Sequence, residues 1–263
     1  MPLSDDELER YARHIVLREV GGAGQAAIRA ARVLVVGAGG LGSPALLYLA
    51  AAGVGVLGIA DFDIVSLSNL QRQIAHTTKN IGKPKTESAR ESIAAINPGV
   101  EVRAHGKLTA QNALEILSGY DIVADGSDNF ATRFLVNDAA FLAKKILVSA
   151  AVTEFDGQLA TFKAHDHSGA YPCYRCLYPE PPPPGTAPSC SETGVLGAAA
   201  GVMGSLQALE ILKEITGAGQ SLAGKLLVYD ALATRFRTIG VKPDPACALC
   251  GPLSRITDLS RHA

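Results

Sequence analysis

Residues 33–60, VLVVGAGGLGSPALLYLAAAGVGVLGIA, decide the fold of this chain. The stretch carries no charged side chain and exceeds the roughly 20 apolar residues that cross a bilayer. Its glycines and Pro44 divide it into an apolar strand, a glycine turn, a helix and a second strand. Such a unit is typical of a buried parallel sheet. The stretch therefore predicts the first βαβ unit of an α/β protein rather than a membrane span.

The alternation of strand and helix continues beyond this unit. Periodicity predicts strands near 33–36, 55–60, 101–104, 121–124 and 146–149, and helices near 42–52, 85–96, 110–118 and 129–143. Repeated βα units indicate an α/β fold with a Rossmann-like, doubly wound and mostly parallel sheet.

After residue 150 the pattern changes. A strand near 158–163, a helix over 195–215 and a late hairpin in KLLVYDA and TRFRTIGV predict an antiparallel C-terminal extension of the sheet. The proline-rich tract PEPPPPGTAPS predicts a mobile loop near 177–192. At the other end, Ser4 and Glu7 form a capping box for an N-terminal helix that carries Arg13 and extends to Leu17.

Composition excludes some classes of function. The 263 residues are 48% hydrophobic, and 24 Lys and Arg balance 25 Asp and Glu, for a net charge of -1. No global field favours nucleic acid or an anionic membrane, so we expect neither as a partner. The acidic N-terminus lacks the basic and apolar segments of a secretory signal, which favours a cytoplasmic location.

The five cysteines fall into two C-x-x-C pairs, CYRC at 173–176 and CALC at 247–250, and the single Cys190. In a reducing compartment such pairs indicate metal or redox chemistry rather than disulfides. Four thiolates would complete a tetrahedral structural zinc site, so Cys173, Cys176, Cys247 and Cys250 are predicted to bind Zn²⁺. A redox role is less favoured because neither pair opens a helix after a strand.

The turn GAGGLG places Gly37, Gly39 and Gly42 in the pattern G-x-G-x-x-G between a strand and a helix, and Asp61 ends the next strand. This context predicts a nucleotide site, with phosphates near the glycines and ribose near Asp61. By itself the motif favours NAD.

Charged residues that follow change this interpretation. Arg72 and Lys85 come after Asp61, and two cations beside one nucleotide favour a triphosphate over a dinucleotide. DGSDN places Asp125, Asp128 and Asn129 just past the fourth strand, where Asp128 could hold Mg²⁺ beside the phosphates. Asp128 and Asn129 would also serve as a helix cap, and both roles can coexist.

The chain resembles the MoeB/ThiF/HesA family, which is related to the ubiquitin-activating enzymes, and is most similar to its MoeB-type members. The resemblance spans nearly the whole sequence and is carried in order by RYARHI, GAGGLG, DFDIVSLSNLQRQ, GKPK, DGSDN, CYRC, SCSETGVLG, GSLQALE, GKLLVYDA and CALCG.

The resemblance implies adenylation, with ATP and Mg²⁺, of the C-terminal glycine carboxylate of a ubiquitin-like sulfur-carrier protein ending in Gly-Gly, similar to MoaD or ThiS. It implies a homodimer in which Arg13 reaches the partner's active site. The implied catalytic groups are Arg13, Arg72, Lys85 and Asp128. Two interpretations of Cys190 stay open: it takes part in sulfur transfer or forms a thioester, as the resemblance to ThiF-type members implies, or it has no such role, as the resemblance to MoeB-type members implies. The residues implied to line the ATP site are Gly40, Asp61, Ser68, Asn69, Leu70, Gln71, Arg72, Lys85, Asp128 and Asn129.

With this resemblance, we expect a single adenylyltransferase domain over residues 1–263. It would comprise an N-terminal helical segment (1–30), a nucleotide-binding half (31–150) and a carrier-binding and zinc half (151–263). Because the sequence ends soon after CALC, we expect a separate protein to donate sulfur. Two alternatives stay open: an NAD-dependent Rossmann oxidoreductase and a non-catalytic zinc scaffold that binds a ubiquitin-like partner.

Overall fold

The computed structural model describes residues 3–166, 169–183 and 194–263. Its strands form one eight-stranded sheet in the order β3-β2-β1-β4-β5-β6-β7-β8. The first five strands in chain order are parallel, whereas β6, β7 and β8 are added antiparallel at one edge. The predicted fold class, a parallel α/β core with an antiparallel C-terminal extension, is confirmed.

The elements lie within a few residues of their predicted positions. The strands are β1 (Arg32–Val36), β2 (Val56–Ala60), β3 (Glu101–His105), β4 (Ile122–Asp125), β5 (Ile146–Thr153), β6 (Asp156–Phe162), β7 (Lys225–Asp230) and β8 (Arg235–Gly240). The helices are α1 (Asp5–Arg10), α2 (Ala12–Ile15), α3 (Gly21–Ala30), α4 (Gly42–Ala52), α5 (Lys85–Ile96), α6 (Ala113–Ser118), α7 (Phe130–Leu142), α8 (Tyr174–Leu177) and α9 (Gly197–Thr216).

Both faces of the sheet are covered by helices because its central strands are apolar on both sides. In β1, Val33 and Val35 belong to one hydrophobic core with residues of α3, α4, α5 and α9. Leu34 and Val36 belong to a second core, with residues of α6 and α7. The uncharged stretch 33–60 is thus strand, turn, helix and strand, as predicted. No helix among the described residues is both long and apolar enough to cross a membrane.

The prediction of one N-terminal helix through Leu17 was wrong. The capping box is present, with Glu7 N donating to Ser4 Oγ (3.3 Å) and Ser4 N donating to Glu7 Oε2 (2.8 Å). However, α1 ends at Arg10, and Tyr11 has φ -101° and ψ 12°. Tyr11 is buried, and its hydroxyl accepts a hydrogen bond from Asn97 (2.8 Å). This tertiary anchor overrides local helix propensity.

Two glycines of α9 allow close approach of backbones. A Cβ on Gly197 would lie 2.2 Å from the carbonyl oxygen of Gln71, and one on Gly204 would lie 2.2 Å from that of Leu41. Gly201 differs, because nothing lies within 4 Å of its Cβ position among the described residues. The helix thereby packs on the loops that surround the nucleotide motif. The predicted mobile loop falls largely on residues 184–192, outside the described residues.

Candidate active site and metal centre

The glycine turn between β1 and α4 requires two of its glycines. Gly37 has φ +88°, and a Cβ on Gly42 would lie 1.8 Å from the carbonyl oxygen of Gly37. Only glycine permits both the left-handed backbone and the close contact. The turn therefore brings the first residues of α4 to the carboxyl edge of the parallel strands, where α/β proteins bind ligands.

The peptide of Ala38 in this turn is held from both sides. Its N–H donates to Asp61 Oδ2 (2.8 Å), and its carbonyl oxygen lies 2.9 Å from His76 Nε2. The other ring nitrogen of His76 lies 2.9 Å from Ser88 Oγ on α5. Burial lowers the pKa of His76, which favours a neutral ring that donates to Ala38. The glycine turn, Asp61 and α5 are thus one hydrogen-bonded unit.

Lys85 is the first residue of α5, as predicted, and its side chain is buried. Its ammonium donates to Asp63 Oδ2 (2.8 Å). Asp63 is itself positioned by a hydrogen bond from its N–H to Asp61 Oδ1 (2.8 Å). Asp61, which is expected to bind ribose, and Lys85, which is expected to bind phosphate, are therefore linked through Asp63.

Arg72 lies beside the glycine turn. A Cβ on Gly40 would lie 3.5 Å from Arg72 Cγ, and Arg72 Nη1 donates to the carbonyl oxygen of Ser68 (3.1 Å). Ser68 and Asn69 belong to a 3-10 turn (Leu67–Asn69), which is capped because Ser66 N donates to Asn69 Oδ1 (3.1 Å). Leu70 and Gln71 connect this turn to Arg72. The loop after β2 thus presents its polar residues at the same edge as the turn.

Asp125, at the end of β4, is fully buried and accepts hydrogen bonds from Ser127 Oγ (2.6 Å) and Ser149 Oγ (2.8 Å). Buried Arg133 lies 3.5 Å from it. This network fixes the backbone from which the next residues project.

Asn129 caps α7 by accepting a hydrogen bond from Thr132 N (2.8 Å), and exposed Asp128 accepts one from Asn129 Nδ2 (3.4 Å). The predicted cap is confirmed for Asn129.

Arg13 lies away from this group of residues. It is exposed on α2. Nearby Tyr11 is hydrogen-bonded to Asn97, which follows the last residue of α5. His14 contacts Gln25, which donates to the carbonyl oxygen of Ala52 at the end of α4. Since α5 has 12 residues, its length places about 18 Å between that anchor and Lys85. An arginine side chain is too short to span this distance.

The two C-x-x-C pairs lie together in the structure, although they are 74 residues apart in the sequence. Their four Sγ atoms lie within 4.8 Å of one another, with 3.5 Å between Cys173 and Cys247 and 3.4 Å between Cys176 and Cys250. Disulfides would require about 2.0 Å. Tetrahedral thiolates 2.3 Å from one zinc ion would lie about 3.8 Å apart, so this set of donors fits a metal of that kind.

A buried ion network lies beside the cysteines. Arg175, between Cys173 and Cys176, donates from Nε (2.7 Å) and Nη2 (2.8 Å) to the two oxygens of Asp138. His262 Nε2 lies 2.8 Å from the same carboxylate. Burial raises the pKa of Asp138, but hydrogen bonds with His262 and Arg175 outweigh it and leave the pKa lowered. The network ties α7, α8 and the C-terminal residues together.

Sequence reasoning did not single out His76, Gln73 or Arg133, although all three are buried around the predicted site. Gln73 and His76 lie in and just after the quoted motif DFDIVSLSNLQRQ, so their proximity to Arg72 was the available indication. Cys190 lies outside the described residues.

The ThiF family model matches residues 11–249. A sulfur carrier protein adenylyltransferase of Thermus thermophilus is 52% identical over 253 residues, covering 95% of this chain and 93% of the relative. A probable adenylyltransferase/sulfurtransferase MoeZ of Mycobacterium tuberculosis is 52% identical, and the match covers 93% of this chain and 62% of the relative. Adenylyltransferase and sulfurtransferase MOCS3 of Bos taurus is 49% identical, and the match covers 99% of this chain and 57% of the relative.

Solved structures are similar in fold. Escherichia coli MccB with ATP has a TM-score of 0.76 and 17% identity, covering 94% of this chain and 82% of that one. PaaA has a TM-score of 0.77 and 21% identity, covering 91% and 75%. The chain spans only about three fifths of the MoeZ and MOCS3 relatives, at 62% and 57% of their lengths. The family match over most of the sequence, together with half-identical relatives, assigns this chain to the ThiF family.

Proposed function

We propose that this chain is an adenylyltransferase that uses ATP to activate the C-terminal glycine carboxylate of a ubiquitin-like sulfur-carrier protein. The observation that carries the proposal is the convergence of Asp61, Arg72 and Lys85 at one glycine turn. Similarity to half-identical relatives, a sulfur carrier protein adenylyltransferase and a probable adenylyltransferase/sulfurtransferase among them, supports it.

The chemistry needs charge neutralisation more than proton transfer. A C-terminal carboxylate has a pKa of about 3.3–3.7 and is ionised at neutral pH, so no general base is required. Its oxygen attacks the α-phosphorus of ATP and forms a mixed anhydride. The bond from that phosphorus to the bridging oxygen breaks, and pyrophosphate leaves with the electron pair. The site must therefore align two anions and stabilise the leaving group.

The residues divide this task by position. The glycine turn (Gly37, Gly39, Gly40 and Gly42) is proposed to bind the phosphates. Its donors would be the N–H groups of Gly39, Gly40 and Gly42, because the Gly37 N–H donates to the carbonyl oxygen of Ala60 (2.9 Å). Asp61 is proposed to bind ribose hydroxyls. Ser68, Asn69, Leu70, Gln71 and Asn129 complete the nucleotide pocket. Arg72 and Lys85 neutralise the triphosphate and the developing charge on pyrophosphate.

Asp128 is the proposed magnesium ligand. It is an exposed carboxylate just past β4, on the edge that carries the glycine turn. Mg²⁺ in proteins is held by one or two carboxylates together with phosphate oxygens and water, which fits a single aspartate here. When bound, the ion would offset negative charge on the phosphates.

Arg13 is proposed to act in the active site of a second copy. Tyr11, which precedes α2, is bonded to Asn97 at the end of α5, and His14 in α2 is connected through Gln25 to Ala52 at the end of α4. Both helix ends lie away from the glycine turn. Because its own pocket is out of reach, a role for Arg13 in catalysis requires a homodimer with two shared sites.

The four cysteines are proposed to hold a structural zinc ion. Four thiolates complete its coordination and leave no open position for catalysis. The ion would join the segment after β6 to the C-terminal segment, within the half of the chain (151–263) proposed to receive the carrier.

Sulfur is proposed to come from a separate donor protein, for molybdopterin or related cofactor synthesis. Cys190 is a candidate to take part in that transfer.

Exchange of labelled pyrophosphate into ATP tests the proposal. Purified protein with magnesium and a carrier ending in Gly-Gly should exchange label, whereas a carrier lacking its last glycine should not support exchange. Arg72→Ala should lose activity, which distinguishes an enzyme from a zinc scaffold. Saturable micromolar binding of NADH, without exchange, would instead favour an oxidoreductase.

A further inference from the structure

Gln73 lies at the centre of the loop that carries the proposed nucleotide-binding residues. Its N–H donates to the carbonyl oxygen of Asn69 (2.9 Å), and its own carbonyl oxygen accepts from His76 N (3.0 Å). The residue is 4% exposed. Since its backbone is held between Asn69 and His76, its side chain cannot easily leave the glycine turn.

The side-chain oxygen of Gln73 is buried and has no hydrogen-bond partner among the described residues. One side-chain oxygen each of Gln207 and Glu214 also lacks a partner among the described residues, but another atom of each side chain makes a hydrogen bond or an ion pair. Gln207 Nε2 donates to the carbonyl oxygens of Asp125 and Val148 (both 2.9 Å), and Glu214 pairs with Lys163. The unmet atom is an acceptor, which a phosphate oxygen cannot satisfy, so the cost of burying it persists when a nucleotide is bound. Retention of the residue therefore calls for a role of its side-chain nitrogen.

The position of the side-chain nitrogen indicates what that role is. Nε2 of Gln73 lies 3.7 Å from where a Cβ on Gly39 would stand. Gly39 is the second glycine of the turn, at which the backbone approaches the phosphates in this motif. An amide nitrogen donates two hydrogen bonds and carries no charge, so it can bind a phosphate oxygen without opposing Arg72 or Lys85.

We propose that Gln73 is a nucleotide-binding residue whose side-chain amide donates a hydrogen bond to a phosphate oxygen of ATP beside Gly39. This inference rests on the proposed use of ATP and adds a ligand to that site. It predicts that the side chain is kept for affinity, at the expense of stability in the nucleotide-free protein.

The test replaces Gln73 with an apolar side chain of the same length. Full-length Gln73→Met should melt at the same or a higher temperature than wild type without nucleotide, because the unmet hydrogen bond is gone. Its ATP affinity by calorimetry should fall about 10- to 100-fold, the worth of a hydrogen bond to a charged group. Gln73→Glu, which sets a carboxylate against the phosphates, should bind ATP more weakly still.

The matched control is Gln111→Met at an exposed glutamine, which should leave both measurements unchanged. ATP affinity of Gln73→Met within twofold of wild type would overturn the inference. So would a lower melting temperature without nucleotide, because the side chain would then be structural. If wild type bound no ATP, the proposed function would fail together with this inference. If wild type bound ATP and Gln73→Met bound it equally well, only this inference would fail and the proposed function would stand.

Discussion

The ammonium of Lys85 lies 2.8 Å from the carboxylate of Asp63, with the lysine side chain 7% exposed and the aspartate 51% exposed. A buried ammonium needs a partner, whereas a half-exposed carboxylate is stable in water. Lys85 can therefore exchange Asp63 for a phosphate oxygen at little cost to Asp63. The ion pair holds the cation in place at the mouth of the proposed ATP site.

Replacing Lys85 should remove transition-state stabilisation. Lys85→Ala should lower the rate of pyrophosphate exchange by about 10²- to 10³-fold, the usual effect of losing one preorganised donor. Exposed Lys79 provides the control, because Lys79→Ala should exchange at the wild-type rate. Exchange in Lys85→Ala within a few-fold of wild type would leave the Lys85–Asp63 pair with a purely structural role.

Mixing of two inactive variants tests whether Arg13 acts across the dimer. Arg13→Ala and Arg72→Ala should each be nearly inactive, yet after subunit exchange a mixed dimer contains one complete site. An equal mixture should recover about one quarter of wild-type activity if dimers reassort freely. Mixing Arg13→Ala with the double variant should restore nothing, since no chain then carries Arg13. Equal activity of the two mixtures would contradict action in trans.

Loss of one cysteine should release the proposed zinc ion. Cys247→Ser should lower bound zinc, measured by mass spectrometry of metals, from one ion per chain, and should lower the melting temperature. About 10 kcal/mol of apparent binding energy is available at such a site, so the change in stability should be large. Cys190→Ser should keep its zinc and its melting temperature. Full stability of a metal-free Cys247→Ser protein would argue against a structural metal.

Asp138 should make the fold sensitive to acid. Its pKa in the folded protein is lowered, so it contributes stability that is fully present above its unfolded pKa of about 3.9 and is lost as pH falls through the folded pKa. Asp138→Asn should cost about 3–5 kcal/mol near pH 7, because it leaves Arg175 buried without its counter-ion.

Denaturation curves between pH 7 and pH 3 measure both effects for Asp138. The difference in unfolding free energy between wild type and Asp138→Asn should shrink as the pH falls below about 4. Asp6→Asn, at an exposed aspartate of α1, should show the wild-type pH profile. A difference independent of pH would mean that the carboxylate charge does not stabilise this network.

Hydrophobic period and glycine spacing were sufficient to predict the order and type of the main elements. The helix over 85–96, which begins directly after Pro84, and the turn after β1 follow from local rules, because a proline start signal, periodicity and the steric demands of glycine act over a few residues. The candidate site was predictable in part for the same reason, since the carboxyl ends of parallel strands meet at one edge.

Only the tertiary structure decided the interruption at Tyr11, where a contact with Asn97 from 86 residues away overrides helix propensity. It also decided that Gln73 and His76 face the glycine turn, and that Arg13 lies far from it. By itself, the sequence determined the alternating α/β framework, the glycine turn and the four cysteines. Which polar side chains meet depends on long-range packing, whose free energy is set by burial of several elements at once and leaves no periodic pattern in any one of them.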